Sequence, residues 1–282
     1  MARAPRFWRS REGTLVLPAL VFYLLVYVYP LSRIAGWSFF DPDFTLKFYR
    51  ELLAEPAYFK ALGNTLEISM LVTLISLLLG YPLAYLMTTT TARARRVVTV
   101  LILIPFWTSV LVRTYAWMVL LGRRGLVNEG LQTLGLTDAP LPLLYNRLGV
   151  TIGMVHVLLP FMVLPIYSVM KGIDVDLLKA AQNLGANRRQ AFLRVYVPLS
   201  LSGLATGCLV VFVSALGFFV TPALLGGRGD TMIAMLIDVQ VSQLLDWGLG
   251  AALAVVLFAV TAAILFGVQR LTGAERLWVR VP

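Results

Sequence analysis

The chain has 282 residues, 59% of them hydrophobic and 13% charged, with a formal net charge of +10 and a mean hydropathy of +0.82. A water-soluble domain of this length carries far more charge, so the composition excludes one and points to an integral membrane protein. In such a chain basic residues usually encode topology, which removes the nucleic-acid reading that +10 alone would invite.

The N-terminus, MARAPRFWRSRE, resembles a signal-peptide n-region, but the apolar run behind it is too long and has no clean small-residue cleavage site. It reads as a retained signal anchor. Six apolar runs are long enough to cross a bilayer, which takes about 20 helical residues: roughly Thr14–Ile34, Thr65–Met87, Val97–Leu121, Leu148–Met170, Leu199–Leu225 and Trp247–Val268. They do not alternate as barrel strands would, so the expected fold is an all-α bundle of six transmembrane helices. With the N-terminus inside, the inner segments hold 15 Lys and Arg and the outer loops hold 7, with Arg33 and Arg113 inside spans. That bias places both termini in the cytoplasm. Nine acidic residues, from Asp41 to Asp246, fall outside.

In the first outer loop, Phe44, Phe48 and Leu52 recur every four residues, predicting a helix along the interface that Pro56 ends. Prolines 18, 82, 105, 160, 165 and 222 predict kinks in the spans. His156 is the only histidine and is expected to be a packing residue with one hydrogen bond. Cys208 is the only cysteine, so no internal disulfide can form. Gly203 and Gly207 form a G-x-x-x-G pair, read as close helix packing within one subunit rather than a dimer seam. The sequence has no G-x-x-x-x-G-K-[ST] loop to cradle a nucleotide, no Cys/His cluster for a metal and no Ser/His/Asp set. Catalytic residues, metal and cofactor are therefore all expected to be absent.

Between the fourth and fifth runs, Ile173 to Pro198 is polar and reads as two short helices. Asp174 is a predicted N-cap, and Leu177, Ala181 and Leu184 share a face. Gly185 is placed to end that helix in the left-handed conformation. Asn187 and Gln190 have capping-box spacing, and Ala191, Phe192 and Val195 form the next apolar stripe. On the cytoplasmic side, such a pair is a docking surface.

This interval resembles the cytoplasmic loop of binding-protein-dependent ABC importer permeases of the type I (MetI-like) fold. Their signature is Glu-Ala-Ala, three residues, Gly, nine residues, Ile, one residue, Leu-Pro. Here it reads Lys179-Ala180-Ala181, then Gly185-Ala186, then Val195-Tyr196-Val197-Pro198, with every spacing kept. Lys179 reverses a charge, and the two valines keep shape. Segments Pro105–Trp117, Leu158–Met170 and Val220–Gly227 resemble the spermidine/putrescine branch, and the resemblance covers nearly the whole chain. It implies that 61–270 is the transport domain, with five core helices and the loop 173–198. Residues 1–60 would be the N-terminus, first span and outer loop, and 271–282 a cytoplasmic tail. It also implies an inner-membrane location and a partner set: an ATPase dimer that binds the ATP, a second permease subunit and a periplasmic substrate-binding protein.

A charge at mid-span costs about 3 kcal/mol, so Arg113 is expected to face the translocation cavity or pair with Glu67; snorkelling to the outer headgroups is the alternative. A polyamine wants carboxylates or aromatic faces along its path. Where the branch commonly carries acids, this chain has Phe218 and Ala223. Trp107, Tyr115, Trp117, Phe218 and Phe219 remain for cation–π contact, and an organic acid or amino-acid-like cargo stays open. So does a reading of another class, a membrane scaffold or receptor with a docking helix pair. Only energy coupling demands a fixed register from Gly185 to Pro198.

Overall fold

The computed structural model describes residues 11–272, so the predicted topology signals of the extreme N-terminus and of 273–282 lie outside the described residues. Apart from one bridge between Phe40 and Phe44, the described chain forms helices and no strands. Among the described residues five helices are long and apolar enough to span a membrane: Val16–Trp37, Pro56–Thr89, Arg147–Lys171, Arg188–Leu216 and Trp247–Val268. The third predicted span, Val97–Leu121, is broken. Ala92–Trp107 and Val110–Thr133 meet at 105°, because Pro105 lacks an N–H and tightens the chain into a 3₁₀ turn over Ile104–Trp107, after which Thr108 is extended.

The described residues divide into two units. The first holds residues 11–56 and 237–258. Its helices α1 (Arg11–Tyr23) and α2 (Tyr29–Trp37) are joined by a π turn, Leu24–Val28. The turn that follows is fixed by buried Ser38, whose hydroxyl donates to the Ala35 carbonyl at 2.6 Å and shares a hydrogen bond with the Tyr49 hydroxyl at 2.8 Å. The predicted interfacial helix is α3 (Lys47–Ala54), with Phe48 and Leu52 buried; Phe44 lies before it and is exposed. Pro56 separates the helices but also opens the next one, where its missing N–H costs nothing. Gly248 is required here, since a Cβ would lie 2.0 Å from the Phe48 ring. Trp37 and Trp247 meet edge to face, with centroids 5.7 Å apart, beside an open cavity of about 670 Å³ also lined by Phe40, Asp41 and Asp246.

The second unit holds 57–236 and 259–272. It contains α4 (Pro56–Thr89), α5 (Ala92–Leu103), α6 (Val110–Leu121), α7 (Leu126–Thr133), α8 (Arg147–Lys171), α9 (Asp176–Asn183), α10 (Arg188–Ala191), α11 (Val197–Leu216) and α12 (Val220–Leu225). Helix α13 (Ile233–Asp238) and helix α14 (Trp247–Thr272) contribute to both units. Helix α8 is the most enclosed, and its Met154, Leu158, Met162 and Ile166 join Ile68 and Val72 of α4 and Val211 and Ala215 of α11 in the core. The glycine pair packs within this unit: a Cβ at Gly203 would sit 2.9 Å from the Pro165 carbonyl oxygen, and one at Gly207 3.0 Å from that of Met162. Bare glycine backbone lets α11 approach Pro165 and Met162 of α8 this closely. The predicted fifth span is shorter than expected, because the chain leaves the helix at Gly217 and resumes as α12 after Phe219.

Candidate functional site

The 173–198 loop forms the two predicted helices, with one change at its start. Helix α9 begins at Asp176, two residues beyond the predicted cap, although the Asp174 carboxylate accepts the Asp176 N–H at 2.9 Å. At its end Gly185 has φ +93°. The Gly185 N–H donates to the Gln182 carbonyl at 2.9 Å and the Ala186 N–H to that of Ala181 at 3.0 Å. These two bonds define a Schellman turn. The family signature thereby acquires a physical meaning, since Ala181, Gly185 and Ala186 are three parts of one helix stop.

The next helix starts with the expected capping box. The Gln190 N–H donates to Asn187 Oδ1 at 2.8 Å, and the Asn187 N–H to Gln190 Oε1 at 3.0 Å. A π turn, Phe192–Tyr196, then carries the chain through Val195 into α11, where Val197 and Pro198 occupy the first turn. Tyr196 is buried. Its ring stacks on Phe192 and meets Tyr85 of α4 edge to face, with centroids 5.4 Å apart. Tyr81 and Ser200 share a hydrogen bond at 3.0 Å. The root of the loop is thus clamped to α4, while its tip faces solvent: Leu184 is 90% exposed, and Val175, Leu177, Lys179 and Ala180 are exposed too.

Lys179 holds Asp176 in an exposed pair, Nζ to Oδ1 at 2.7 Å. That hydrogen bond raises the pKa of the ammonium, so Lys179 is a cation throughout the physiological range. The charge reversal in the signature therefore comes with a carboxylate one turn earlier.

The residues predicted for the path are only partly gathered. Trp117 donates its indole N–H to His156 Nδ1 at 3.1 Å, which gives His156 the single bond expected of it. One turn earlier on α6, Arg113 is half-buried, and its Nε is buried with no hydrogen-bond partner among the described residues. Helix α6 touches α12 through Thr114 and Thr221, whose hydroxyls are 3.3 Å apart. Phe218 and Phe219, half-buried, lead into α12, and Phe218 packs on the core. Trp107 and Tyr115 are 80% and 55% exposed, so this unit alone does not enclose them.

Glu67 does not pair with Arg113. It is bound instead by Arg147, the first residue of α8, which also donates its Nε–H to Asp230 Oδ1 at 3.3 Å and an Nη2–H to Asn64 Oδ1 at 3.1 Å. Asn64 in turn donates to the carbonyls of Gly229 and Thr231 at 2.7 and 3.1 Å. The Gly227 N–H donates to Asp230 Oδ2 at 3.2 Å, and the Ile233 N–H to Thr65 Oγ1 at 2.9 Å. In the sequence Arg147 is one of the seven basic residues of the outer loops. The available signal was its position, since an arginine opening a helix opposes the macrodipole and needs another reason to be there.

Residues 73–273 match the family model described as "Binding-protein-dependent transport system inner membrane component". The spermidine/putrescine transport system permease protein PotB of Salmonella typhimurium (strain SL1344) is 37% identical over 265 residues, covering 91% of this chain and 92% of that one. The protein of the same name from Escherichia coli (strain K12) is 37% identical over 259 residues, covering 89% and 94%. Among solved structures, a chain of a bacterial ABC transporter involved in the import of the acidic polysaccharide alginate superposes with a TM-score of 0.80 at 19% identity, over 95% of this chain and 98% of that one. At that identity the likeness carries the fold alone.

Proposed function

The chain belongs to the binding-protein-dependent transport system inner membrane components, the permeases of type I ABC importers, and we propose that it forms half of the path for a polyamine of the spermidine/putrescine class. The observation that carries this reading is the 37% identity, over about nine-tenths of the chain, to permeases named for those solutes. In this reading both termini are cytoplasmic, residues 61–270 form the transport domain, and 1–60 and 271–282 flank it. The ATPase is a dimer of a separate chain, and it alone binds ATP. A second permease, a different chain, completes the path, and a periplasmic substrate-binding protein delivers the cargo to it. This subunit itself holds no cofactor and catalyses no reaction.

Coupling runs through the loop from Lys179 to Pro198. The exposed face of α9, with Lys179, Ala180 and Leu184, seats in the ATPase. The Schellman turn at Ala181, Gly185 and Ala186 fixes the angle to α10. Val195, Val197 and Pro198 pass the motion into α11, and the Tyr85–Phe192–Tyr196 rings share it with α4. Because Gly203 and Gly207 lock α11 onto α8, these helices move as a body rather than bend singly. Along the path, Trp107, Tyr115, Trp117, Phe218 and Phe219 offer aromatic faces to a cation.

A second reading is favoured by one observation, the unpartnered Nε of Arg113. A guanidinium with hydrogen-bonding capacity to spare suits a carboxylate on the cargo, so an organic acid or amino-acid-like solute is the alternative. Uptake of labelled spermidine and of a labelled dicarboxylate by vesicles carrying the assembled importer separates the two. Saturable, ATP-dependent spermidine uptake is expected; uptake of the acid alone overturns the polyamine reading. Replacing Arg113 with Leu should lower transport while leaving the protein assembled, and normal uptake would remove Arg113 from the path.

A further inference from the structure

Glu67, Arg147 and Asp230 come from α4, the start of α8 and the segment after α12, and together they carry a net charge of −1. Their two ion pairs are unequal. Asp230 is 12% exposed and is also tied to the Gly227 N–H, whereas Glu67 is 63% exposed. The Glu67 half is therefore the one that water and solutes can reach, and exposed pairs exchange partners readily. We propose that this cluster is a cation-exchange latch: an ammonium group of the cargo takes the Glu67 carboxylate from Arg147, and the change is passed to residues 226–232. The proposal rests on the reading above that the cargo is an amine and that this end of α4 faces outward.

The route of that change is short and made of named bonds. Arg147 reaches Asp230 only at 3.3 Å while it also holds Glu67, longer than the usual N–H···O distance of about 2.9 Å. Released from Glu67, its guanidinium can close on Asp230. That move strains its bond to Asn64 Oδ1, and Asn64 is what grips the carbonyls of Gly229 and Thr231. The gripped segment continues back into α12, which touches α6 through Thr221 and Thr114 and follows directly on Phe218 and Phe219. Arrival of a cation at Glu67 thus bears on the part of the chain that carries the aromatic path residues. The latch also supplies the carboxylate that positions 218 and 223 lack.

The test uses the assembled importer in proteoliposomes with spermidine as the probe. Glu67→Gln keeps the shape of an exposed side chain and leaves Arg147 on Asp230. It should raise the KM for spermidine about three- to fivefold, the size of one exposed charge contact, and change kcat less than twofold. Glu67→Asp, which keeps the charge, should recover most of the wild-type KM. Spin labels at 66 and 229 should change separation when spermidine is added to the otherwise wild-type protein, and not in Glu67→Gln. An unchanged KM in Glu67→Gln, or a label separation indifferent to spermidine, overturns the latch while the polyamine reading stands. Failure of the wild-type importer to take up spermidine overturns that reading first.

Discussion

Gly185→Ala tests whether the helix stop in the cytoplasmic loop transmits force. At φ +93° an L-residue is outside its comfortable range, and the left-handed region costs about 1–2 kcal/mol for a residue with a Cβ. No atom lies within 4 Å of the added Cβ, so the penalty is torsional and involves no clash with the rest of the fold. A shift of that size changes the population of the closed turn about five- to thirtyfold. The protein should still insert and assemble, because the root of the loop is held by Tyr196, Tyr81 and Ser200. ATP hydrolysis stimulated by the loaded binding protein should fall at least fivefold in proteoliposomes. Amides 184–186 should lose protection from hydrogen exchange. Gly185→Asn, which tolerates this conformation better, should fall between alanine and wild type. Full stimulation with unchanged protection in Gly185→Ala would refute the idea that the Schellman geometry carries the coupling.

Deleting one residue between Gly185 and Val195 shifts the fixed spacing to Pro198, so removing Gln190, which also destroys the capping box, should abolish uptake while the protein still assembles; normal uptake would contradict coupling through register. Gly203→Val places a side chain 2.9 Å from the Pro165 oxygen and the Val169 Cβ, which should cost about 1–3 kcal/mol and lower the thermal midpoint of the purified protein; an unchanged midpoint would show that α11 and α8 can separate freely. Lys179→Glu sets two carboxylates one turn apart, a local cost of only about 0.2–0.5 kcal/mol. A more than fivefold drop in ATPase stimulation would then report an acidic partner cleft, and that drop is the expected result; unchanged stimulation would make the position peripheral.

The legible parts of the molecule were those written in short-range code. Gly185 and the Asn187–Gln190 pair announced their turn and cap because both depend on residues at most a few positions apart. The apolar runs announced the spans for the same reason, and the final one coincides with the observed Trp247–Val268. What stayed hidden was decided by distant neighbours or by backbone detail. Nothing local shows that Pro105 breaks a span when Pro160 and Pro165 do not, since α8 runs through both with its freed groups enclosed by the core. Pairing with Glu67, one of the alternatives expected for Arg113, is not observed, because the guanidinium that reaches Glu67 is decided only when α4, α6 and α8 are placed, and it is that of Arg147. The π turn at Phe192–Tyr196 leaves no trace in apolar spacing beyond one residue of slip.

The elbow at Trp107 and Thr108 has a consequence for the chain as a solitary object. Backbone that leaves helical geometry at membrane depth cannot rest against hydrocarbon, because its amides and carbonyls would go unanswered. With Trp107 largely bare in this subunit, the corner must be roofed by another polypeptide or bathed by a water-filled vestibule. If, as proposed, a second permease subunit roofs that corner, a lone copy dissolved in lipid is an unfinished object, and its lifetime should depend on how soon it meets a mate.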